Sequence, residues 1–281
     1  MSLLPALLLD ALLGEPPARF HPVVLMGRYL AWAWPRVRGF WSGALYWTLG
    51  ACLFTLPALW LDLLLRPLAL GWLLLGVLLK PLFSLRMLLW EVWAVERALE
   101  EDLQGARQRL KNLVSRSTED LSPEEVREAA LESLAENLCD SAIAPFLYYA
   151  LLGLPGAALY RYANTADAMW GYPEHGKRGT FAARADDLLN WLPARLTGLL
   201  LCPVGLWPRL LEEARKTPSP NGGFPMAALA LRLGVRLRKR GVYALNPGAP
   251  SPTPRETARA LWRVGGLGYG LGLLLTALGR G

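Results

Sequence analysis

The chain has 281 residues, 53% of them hydrophobic, with 12 tryptophans and a mean hydropathy of +0.25. This hydrophobic surplus exceeds that of an ordinary soluble domain and comes in long blocks, which indicates burial in lipid. The net charge of +7 could suit nucleic acid, but no motif of a nucleic-acid-binding fold is present, and Lys and Arg also accumulate beside membrane spans. We therefore expect an integral membrane protein with no nucleic-acid partner. With 3 cysteines that lack CxxC spacing and 2 histidines, neither a disulfide framework nor a histidine-rich metal centre is expected.

The clearest membrane span covers Gly43 to Leu65, which is apolar except for Asp62 near its end. It is long enough to cross a hydrocarbon core of about 30 Å. A break at Arg66-Pro67 separates it from a second apolar run, so the pattern predicts a hairpin of spans over residues 43–95. Positive charge concentrates on the two flanks of this hairpin, and the positive-inside rule places both flanks in the cytoplasm.

A charged helix is predicted after the hairpin. It begins at Ser122 with Pro at the first helical position and Glu at the third, the pattern of a capping box. Four acids then follow at successive i, i+4 spacing, namely Glu128, Glu132, Glu136 and Asp140. They lead into an apolar stretch, where an unpaired carboxylate costs much free energy. For Glu128 a solvated acidic face and a binding role remain equally open, whereas cation or substrate binding is favoured for the other three, in oxygen-ligand chemistry that suits Mg²⁺.

Two further polar clusters follow. In RYANTADAMWGY, residues 161–172, Asn164 and Asp167 are one helical turn apart, and the alternative is a capped surface loop. In ARADDLLNWLPARL, residues 183–196, polar side chains lie at helical spacing at the edge of an apolar run, where they are functional candidates by default. These are Arg184, Asp186, Asp187, Asn190 and Arg195. A structural ion-pair network is the alternative for this second cluster.

The fourth cluster begins at Thr217 with TPSPNGGFPMAALALRLGVRLRKR. Ser219, Asn221 and Gly222 form a flexible turn, and Pro225 suits the first position of a helix, so free backbone N–H groups could bind an anion there. The helix is expected to continue to Arg240 as an amphipathic segment on the membrane surface. The glycines of the final apolar segment favour close helix packing and a homodimer.

If these clusters build one site, all must face the same side of the membrane. We therefore predict that Ser141 to Tyr160, broken at GLPG, and Leu188 to Trp207, broken at Pro193 and Pro203, are re-entrant or buried hairpins. The expected fold is all-α and polytopic, with broken helices and helical segments at the cytoplasmic face. We expect a single membrane-embedded domain over residues 1–281, with polar catalytic segments at about 115–140, 161–190 and 209–257.

Five segments together closely resemble the CobD/CbiB family of cobalamin biosynthesis, over almost the whole chain. They are LLDALLGEPPARFHPVVLMGR, ESLAENLCDSAIAP, RYANTADAMWGY, ARADDLLNWLPARLTG and SPNGGFPMAA. The resemblance implies adenosylcobinamide-phosphate synthase activity, an ATP-linked amide bond between a propionate carboxyl of adenosylcobyric acid and an amine. The amine donor would be (R)-1-aminopropan-2-ol or its O-phosphate, and the sequence does not choose between them.

Such a ligase activates its carboxylate most simply as an acyl phosphate, with Mg²⁺ and cations to stabilise the phosphate oxygens. The catalytic candidates are Glu132, Glu136, Asp140 and Asp187. The magnesium candidates are Glu136, Asp140, Asp167 and Asp186. The substrate-binding candidates are Asn137, Arg161, Asn164, Asp167, Arg184, Asn190, Arg195, Ser219, Asn221 and Gly222.

No Walker-type loop locates the ATP. Lipid, the corrinoid, the amine and the nucleotide are the expected partners, together with other membrane enzymes of the same pathway. The alternative function is a non-catalytic transporter or sensory protein of the cytoplasmic membrane, in which the acids and arginines form a buried polar site.

Overall fold

A computed structural model describes residues 1–279 of the chain. The described part contains thirteen α-helices and one two-stranded antiparallel hairpin, so the all-α class is confirmed apart from this hairpin. The helices are α1 Leu3–Leu13, α2 Pro22–Ala33, α3 Phe40–Leu65, α4 Gly71–Leu79, α5 Leu85–Glu101, α6 Leu103–Leu110, α7 Pro123–Leu138, α8 Ala144–Leu152, α9 Leu154–Trp170, α10 Thr180–Leu201, α11 Trp207–Ala214, α12 Gly223–Leu233 and α13 Pro254–Ala277. The strands are β1 Leu237–Lys239 and β2 Tyr243–Leu245.

The chain divides into two compact units. Unit 1 comprises Met1–Ser84, Asp140–Asn190 and the segment from Leu271 onward, and unit 2 comprises Leu85–Cys139 and Trp191–Gly270. The single domain expected over residues 1–281 stays a prediction.

Within residues 1–279, two helical segments are long and apolar enough to cross a membrane, Phe40–Leu65 and Gly71–Glu101. Of the 18 most apolar consecutive residues of the first segment, only 22% are buried. Leu56 and Trp60 are among the exposed side chains of this segment. A core helix of a soluble protein would bury most of such a stretch, so the exposure of α3 suggests contact with lipid. The predicted hairpin over residues 43–95 falls on these two segments.

In unit 1, α9 runs antiparallel beside α3. The Leu154 N–H at the start of α9 donates to Asp62 Oδ1 near the end of α3 (2.9 Å). Further along, the rings of Phe54 and Tyr162 are stacked with centroids 5.7 Å apart. At the other end, Gly43 approaches the Arg178 carbonyl so closely that a Cβ would come within 2.7 Å of its oxygen.

The predicted break at GLPG is confirmed, because α8 ends at Leu152 and α9 begins at Leu154. Gly153 between them has φ +73°, a conformation that L side chains rarely adopt. The two helices pack against each other, and the tip of this pair lies beside the C-terminal end of α3.

The predicted break at Pro193 is wrong, because α10 continues through this residue to Leu201. Proline removes the N–H that would donate to the carbonyl of Leu189 four residues earlier. The hydroxyl of Tyr148 donates to that carbonyl instead (2.9 Å), so the orphaned acceptor is satisfied and the helix is tolerated. The helix ends before Pro203, where the second predicted break is confirmed.

The amphipathic helix predicted as far as Arg240 is also wrong. α12 ends at Leu233, where Gly234 takes the left-handed conformation and the Val235 N–H bonds back to the Ala230 carbonyl (3.0 Å). Strand β1 follows and pairs with β2. Val235 and Leu237 are buried, whereas Arg236 and Arg238 are partly exposed. This is the two-residue alternation of a strand.

In unit 2, α7 packs against α5, α6, α12 and β1. The predicted start of α7 is confirmed, since Ser122 and Glu125 form the capping box expected there. Arg127 of α7 holds both carboxylate oxygens of Glu96 on α5, with the shortest contact 2.7 Å. This ion pair fixes α7 against α5, and with it the position of the acidic face of α7 in unit 2.

Candidate functional site

A ring of hydrogen-bonded polar side chains lies inside unit 1. The Tyr160 hydroxyl contacts Asn190 Oδ1 (2.7 Å) and Asp140 Oδ1 (3.4 Å). The Asn164 amide nitrogen lies 3.3 Å from Asp140 Oδ2 and 3.4 Å from Asp186 Oδ1, and the Asn190 amide nitrogen lies 3.1 Å from Asp186 Oδ2. We call these five residues the polar ring. It places two carboxylates on either side of one amide.

Three helical segments position the polar ring. Asp140 stands in a π-helical turn, Cys139–Ile143, which interrupts the helix that begins with α7. Such turns widen a helix locally and are frequent at functional sites. Tyr160 and Asn164 are one turn apart on α9, and Asp186 and Asn190 are one turn apart on α10. The surface-loop alternative for residues 161–170 is excluded by α9.

The acids of this region are shifted toward their neutral forms. Burial, and then the charge of Asp187, raises the pKa of Asp167 to about 6. Burial, and then the charge of Asp167, raises the pKa of Asp186 to about 7. Burial also raises the pKa of Asp187. A cation in this region would relieve the repulsion between these acids.

Arg161 is the predicted cation that lies beside the polar ring. Its Nη1 contacts Asn164 Oδ1 (3.4 Å), and its Nε donates to the Leu82 carbonyl (3.0 Å). Arg184, by contrast, is exposed.

The fit to Mg²⁺ rests on two carboxylates. Within residues 1–279, no group of three or more His, Cys, Asp or Glu side chains is arranged to hold a metal ion. Mg²⁺ usually takes one or two carboxylates and completes its shell with water and phosphate oxygens. Asp140 and Asp186, with Asn164 between them, are chemically suited to that role, so the magnesium site stays a prediction carried by this pair.

A second cluster lines a cavity of about 160 Å³ in unit 2. Its acidic residues are Glu132 and Glu136 on α7, and its basic residues are Arg116 and Lys239. Asn137 and Tyr243 also line it. We call this space the mixed-charge cavity.

Glu132 is the most deeply buried acid of the mixed-charge cavity, with 6% of the residue exposed. Its Oε2 accepts a hydrogen bond from Arg116 (3.0 Å), and the Tyr243 hydroxyl also interacts with this carboxylate. Burial raises the pKa of Glu132 to about 7, against the opposing effect of Arg116. A carboxyl that titrates near neutral pH can exchange a proton with a bound amine.

Glu128 has different surroundings. Arg236 donates to Glu128 Oε1 (2.9 Å), and Arg238 lies 3.8 Å from Oε2. Two arginines of unit 2 therefore balance the charge of Glu128. Its burial is explained by this pairing, without the binding role that the sequence left open.

The turn at residues 219–222 does not offer the free N–H groups expected of an anion site. The N–H groups of Asn221 and Gly222 donate to the Ser219 hydroxyl (3.2 and 3.0 Å), and that of Phe224 donates to the Asn221 carbonyl (3.0 Å). Pro225 also lies inside the first turn of α12, because the helix begins at Gly223. These N–H groups are therefore engaged within a local serine turn, and substrate binding by Ser219, Asn221 and Gly222 stays a prediction.

Arg195 binds this turn and lies between two aromatic rings. Its Nη1 donates to Asn221 Oδ1 (3.0 Å), and its guanidinium stands 4.3 Å from the Trp191 ring centroid and 4.5 Å from that of Phe224. Desolvation lowers its pKa. On the other side of the turn, Gly222 faces Glu136, since a Cβ there would lie 2.8 Å from Glu136 Oε1.

The predicted residues thus form two groups. Unit 1 holds Asp140, Arg161, Asn164, Asp167, Arg184, Asp186, Asp187 and Asn190. Unit 2 holds Glu132, Glu136, Asn137, Arg195, Ser219, Asn221 and Gly222. One common pocket for both groups stays a prediction.

Several residues of the two clusters were not predicted from the sequence. Tyr160 closes the polar ring, and Arg116, Lys239 and Tyr243 complete the mixed-charge cavity. Lys239 and Tyr243 are cross-strand partners, so recognition of the hairpin would have placed them together.

A further buried ionic group was also missed in unit 1. Lys80 contacts Asp10 (3.1 Å) and Glu15 (3.0 Å), and Glu15 contacts His21 (3.1 Å). The sequence signal for this group was a lysine inside an apolar run, together with Asp10, Glu15 and His21 in the segment LLDALLGEPPARFH.

Comparisons with known proteins give one family. A family model described as CobD/Cbib protein matches residues 3–262. A Methanothermobacter thermautotrophicus protein named probable cobalamin biosynthesis protein CobD is 46% identical, over 86% of this chain and 85% of its own length. Proteins of Stutzerimonas stutzeri and Pyrococcus abyssi, named cobalamin biosynthesis protein CobD and probable cobalamin biosynthesis protein CobD, are 41% and 40% identical. They match 86% and 91% of this chain and 83% and 88% of their own lengths. No solved structure matches.

Proposed function

Since this chain belongs to the CobD/CbiB family, we propose that it is the cobalamin-biosynthesis enzyme that makes adenosylcobinamide phosphate. In this proposal it joins a propionate carboxyl of adenosylcobyric acid to the amine of 1-aminopropan-2-ol or its O-phosphate. The family match over almost the whole chain is the observation that carries the proposal. The polar ring and the mixed-charge cavity supply side chains that suit the chemistry.

Amide formation from a carboxylate requires activation. We propose that ATP phosphorylates the carboxyl, and that the amine then attacks the acyl phosphate, forming the C–N bond and releasing phosphate. Mg²⁺ would neutralise the phosphate oxygens during the first step, with Asp140 and Asp186 as its protein ligands.

The amine must lose its proton before it attacks. The pKa of Glu132, raised to about 7, makes this carboxylate a suitable acceptor for that proton. Arg116 holds one oxygen of the same carboxylate and so orients it. We propose Glu132 as the general base and Glu136 as a second carboxylate that holds the ammonium form.

The protein would be a multi-pass protein of the cytoplasmic membrane. Two segments of suitable length and composition support this proposal, together with the exposed apolar face of α3. The positive charge that flanks the hairpin supports a cytoplasmic active face.

Purified protein in detergent tests the proposed reaction. ADP and phosphate should be released only when adenosylcobyric acid, the amine donor and Mg²⁺ are all present, with an amide product detected by mass spectrometry. Release of ADP without amide product, or substrate accumulation by sealed vesicles without coupling, would instead support the transporter alternative.

A further inference from the structure

We propose that the buried ionic group of unit 1 positions the polar ring for cation binding. The members of this group are Asp10, Glu15, His21 and Lys80. They act through residues 80–84, which we call the linking segment, and are therefore positioning residues. The inference rests on the proposed function in one respect, because the cation is the Mg²⁺ proposed there for Asp140 and Asp186.

The ionic group fixes the start of the linking segment. Lys80 is 4% exposed, and its Nζ lies 3.1 Å from Asp10 Oδ1 and 3.0 Å from Glu15 Oε1. Glu15 is held in turn by His21 Nε2 (3.1 Å). A buried ammonium separated from its carboxylates would be very costly, so Lys80 cannot move away from this position. Its Nζ also contacts the Phe83 carbonyl (3.4 Å), which lies within the linking segment.

The linking segment reaches the polar ring first through the π-helical turn. The Ser84 N–H donates to the Ser141 carbonyl (2.8 Å), and Ser141 directly follows Asp140 in that turn. The buried ring of Phe83 packs edge-on against Phe146 of α8, with centroids 4.8 Å apart. The position of the segment therefore determines the position of the turn that carries Asp140.

The second connection runs through Arg161. Its Nε donates to the Leu82 carbonyl (3.0 Å), and its Nη1 lies 3.4 Å from Asn164 Oδ1. Since the amide oxygen of Asn164 faces a guanidinium, the amide nitrogen faces Asp140 (3.3 Å) and Asp186 (3.4 Å). The opposite orientation would present an acceptor to two carboxylates. Arg161 thus selects the orientation in which Asn164 can hold both acids.

Stability alone does not explain the ionic group. Replacement of a buried ion pair by apolar residues of similar volume is often neutral or stabilising. What the ion pair adds is register, because the ammonium of Lys80 fits only between its two carboxylates. The register of residues 80–84 decides which carbonyl meets Arg161 and which N–H meets the π-helical turn.

Binding of Mn²⁺, which suits the same oxygen ligands as Mg²⁺, tests the proposal on the purified full-length protein in detergent. Electron paramagnetic resonance counts the free Mn²⁺, so the measurement needs no substrate. Asp186→Asn should remove the binding, which locates it at the polar ring. Glu15→Gln should weaken the binding by about tenfold to a hundredfold, the usual effect of losing a residue that orients a metal ligand. Lys80→Met should weaken it at least as much, because both of its carboxylates lose the ammonium.

Arg127→Met is the matched control. It breaks another largely buried ion pair, to Glu96 in unit 2 (2.7 Å), and should lower the unfolding temperature without a change in Mn²⁺ affinity. Equal Mn²⁺ affinities of the wild type and Glu15→Gln would overturn the proposal. An equal loss of affinity in Arg127→Met would also overturn it, because general destabilisation would then explain both results.

The cation site and the enzyme function can fail separately. Absence of Mn²⁺ binding to the wild type, or binding that survives Asp186→Asn, would overturn the positioning role, while amide formation by the same protein would leave the synthase function standing. Mn²⁺ binding that depends on Glu15, without amide formation under any condition, would overturn the synthase function and leave the positioning role standing.

Discussion

Glu128 and Glu132 are one helical turn apart on α7, yet their neighbours differ. Glu128 is balanced by Arg236 and Arg238, while Glu132 is paired with Arg116 alone and lines the mixed-charge cavity. The i, i+4 spacing is identical for both acids, so it could not separate a structural carboxylate from a functional one. What separates them is the position of the arginines, which come from distant parts of the chain.

Glu136→Gln should abolish amide formation and leave membrane insertion intact. The substitution removes the charge that faces both the cavity and Gly222 without a change of volume. Product formation and membrane fractionation are the measurements. Glu119→Gln, at an exposed position with only a 3.9 Å contact to Lys111, is the control and should retain full activity. Normal turnover of Glu136→Gln would remove this residue from the proposed site.

Glu132 should give the stability of the protein a characteristic pH dependence. Its folded pKa of about 7 exceeds the ordinary value of 4.5, so between these values the folded state keeps a proton that the unfolded state releases. The free energy of unfolding should therefore fall as pH rises through this window, by up to about 3 kcal/mol from this group. Unfolding in detergent from pH 4 to 8 should show a smaller fall for Glu132→Gln. Parallel curves for the two proteins would contradict the assignment.

At the scale of elements, the patterns that rest on local chemistry predicted most of the fold. Long apolar blocks located α3 and the segment 71–101, the capping box located the start of α7, and GLPG located the break between α8 and α9. The strand β1 was missed because Leu229, Leu233 and Leu237 repeat with a helical period, while Val235 and Leu237 also alternate as in a strand. Gly234 decides between the two readings, and it is visible in the sequence.

The continuity of α10 could not be predicted in this way. It depends on the hydroxyl of Tyr148, which is distant in the chain and satisfies the Leu189 carbonyl that Pro193 orphans. The polar ring depends likewise on contacts among α9, α10 and the π-helical turn. Candidate acids and amides could be chosen from spacing, but their partners required the tertiary structure.

Tyr148→Phe should destabilise the protein by about 1 kcal/mol, because it removes the donor to the part-buried Leu189 carbonyl. Pro193→Ala restores a backbone N–H for the same carbonyl. In the Pro193→Ala background, Tyr148→Phe should therefore cost much less. Unfolding measurements on both single variants and the double variant test this coupling, and additive costs would show that the hydroxyl does not support the helix at Pro193.

Gly153→Ala should destabilise the α8–α9 tip by more than the roughly 1 kcal/mol expected of positive φ alone. The added Cβ would meet the Arg66 guanidinium and the Asp62 carboxylate that caps α9, and the alanine would also have to adopt a strained backbone conformation. Gly176→Ala is the matched control, since Gly176 also has positive φ but no atom within 4 Å of a Cβ. The difference in unfolding free energy between the two variants isolates the contact. Equal losses of unfolding free energy would mean that the neighbouring side chains move aside without any loss of stability.

At the scale of the whole molecule, the packing of unit 1 links the loop after α9 to the N-terminal end of α3. The ring of His175 lies 4.5 Å from that of Trp34, which precedes α3, and the Arg178 carbonyl contacts Gly43 near the start of α3. The tip of the α8–α9 pair instead lies beside Asp62, near the end of α3. If α3 spans the membrane, α8 and α9 form a pair that enters from the side of the loop and returns to it.

Cysteine labelling from each side of the membrane tests this topology. In a background that replaces the exposed native Cys52, a cysteine at His175 should be modified only from the cytoplasm, because the loop shares a side with the basic flank of α3. A cysteine at the exposed Leu68, in the turn between α3 and α4, should be modified only from the opposite side. A cysteine at the buried Pro155 should react from neither side until the protein is unfolded. Modification of position 175 from the periplasm would mean that the α8–α9 pair, which carries Asn164 of the polar ring, enters from the wrong side. A cytoplasmic synthase could then not use the polar ring.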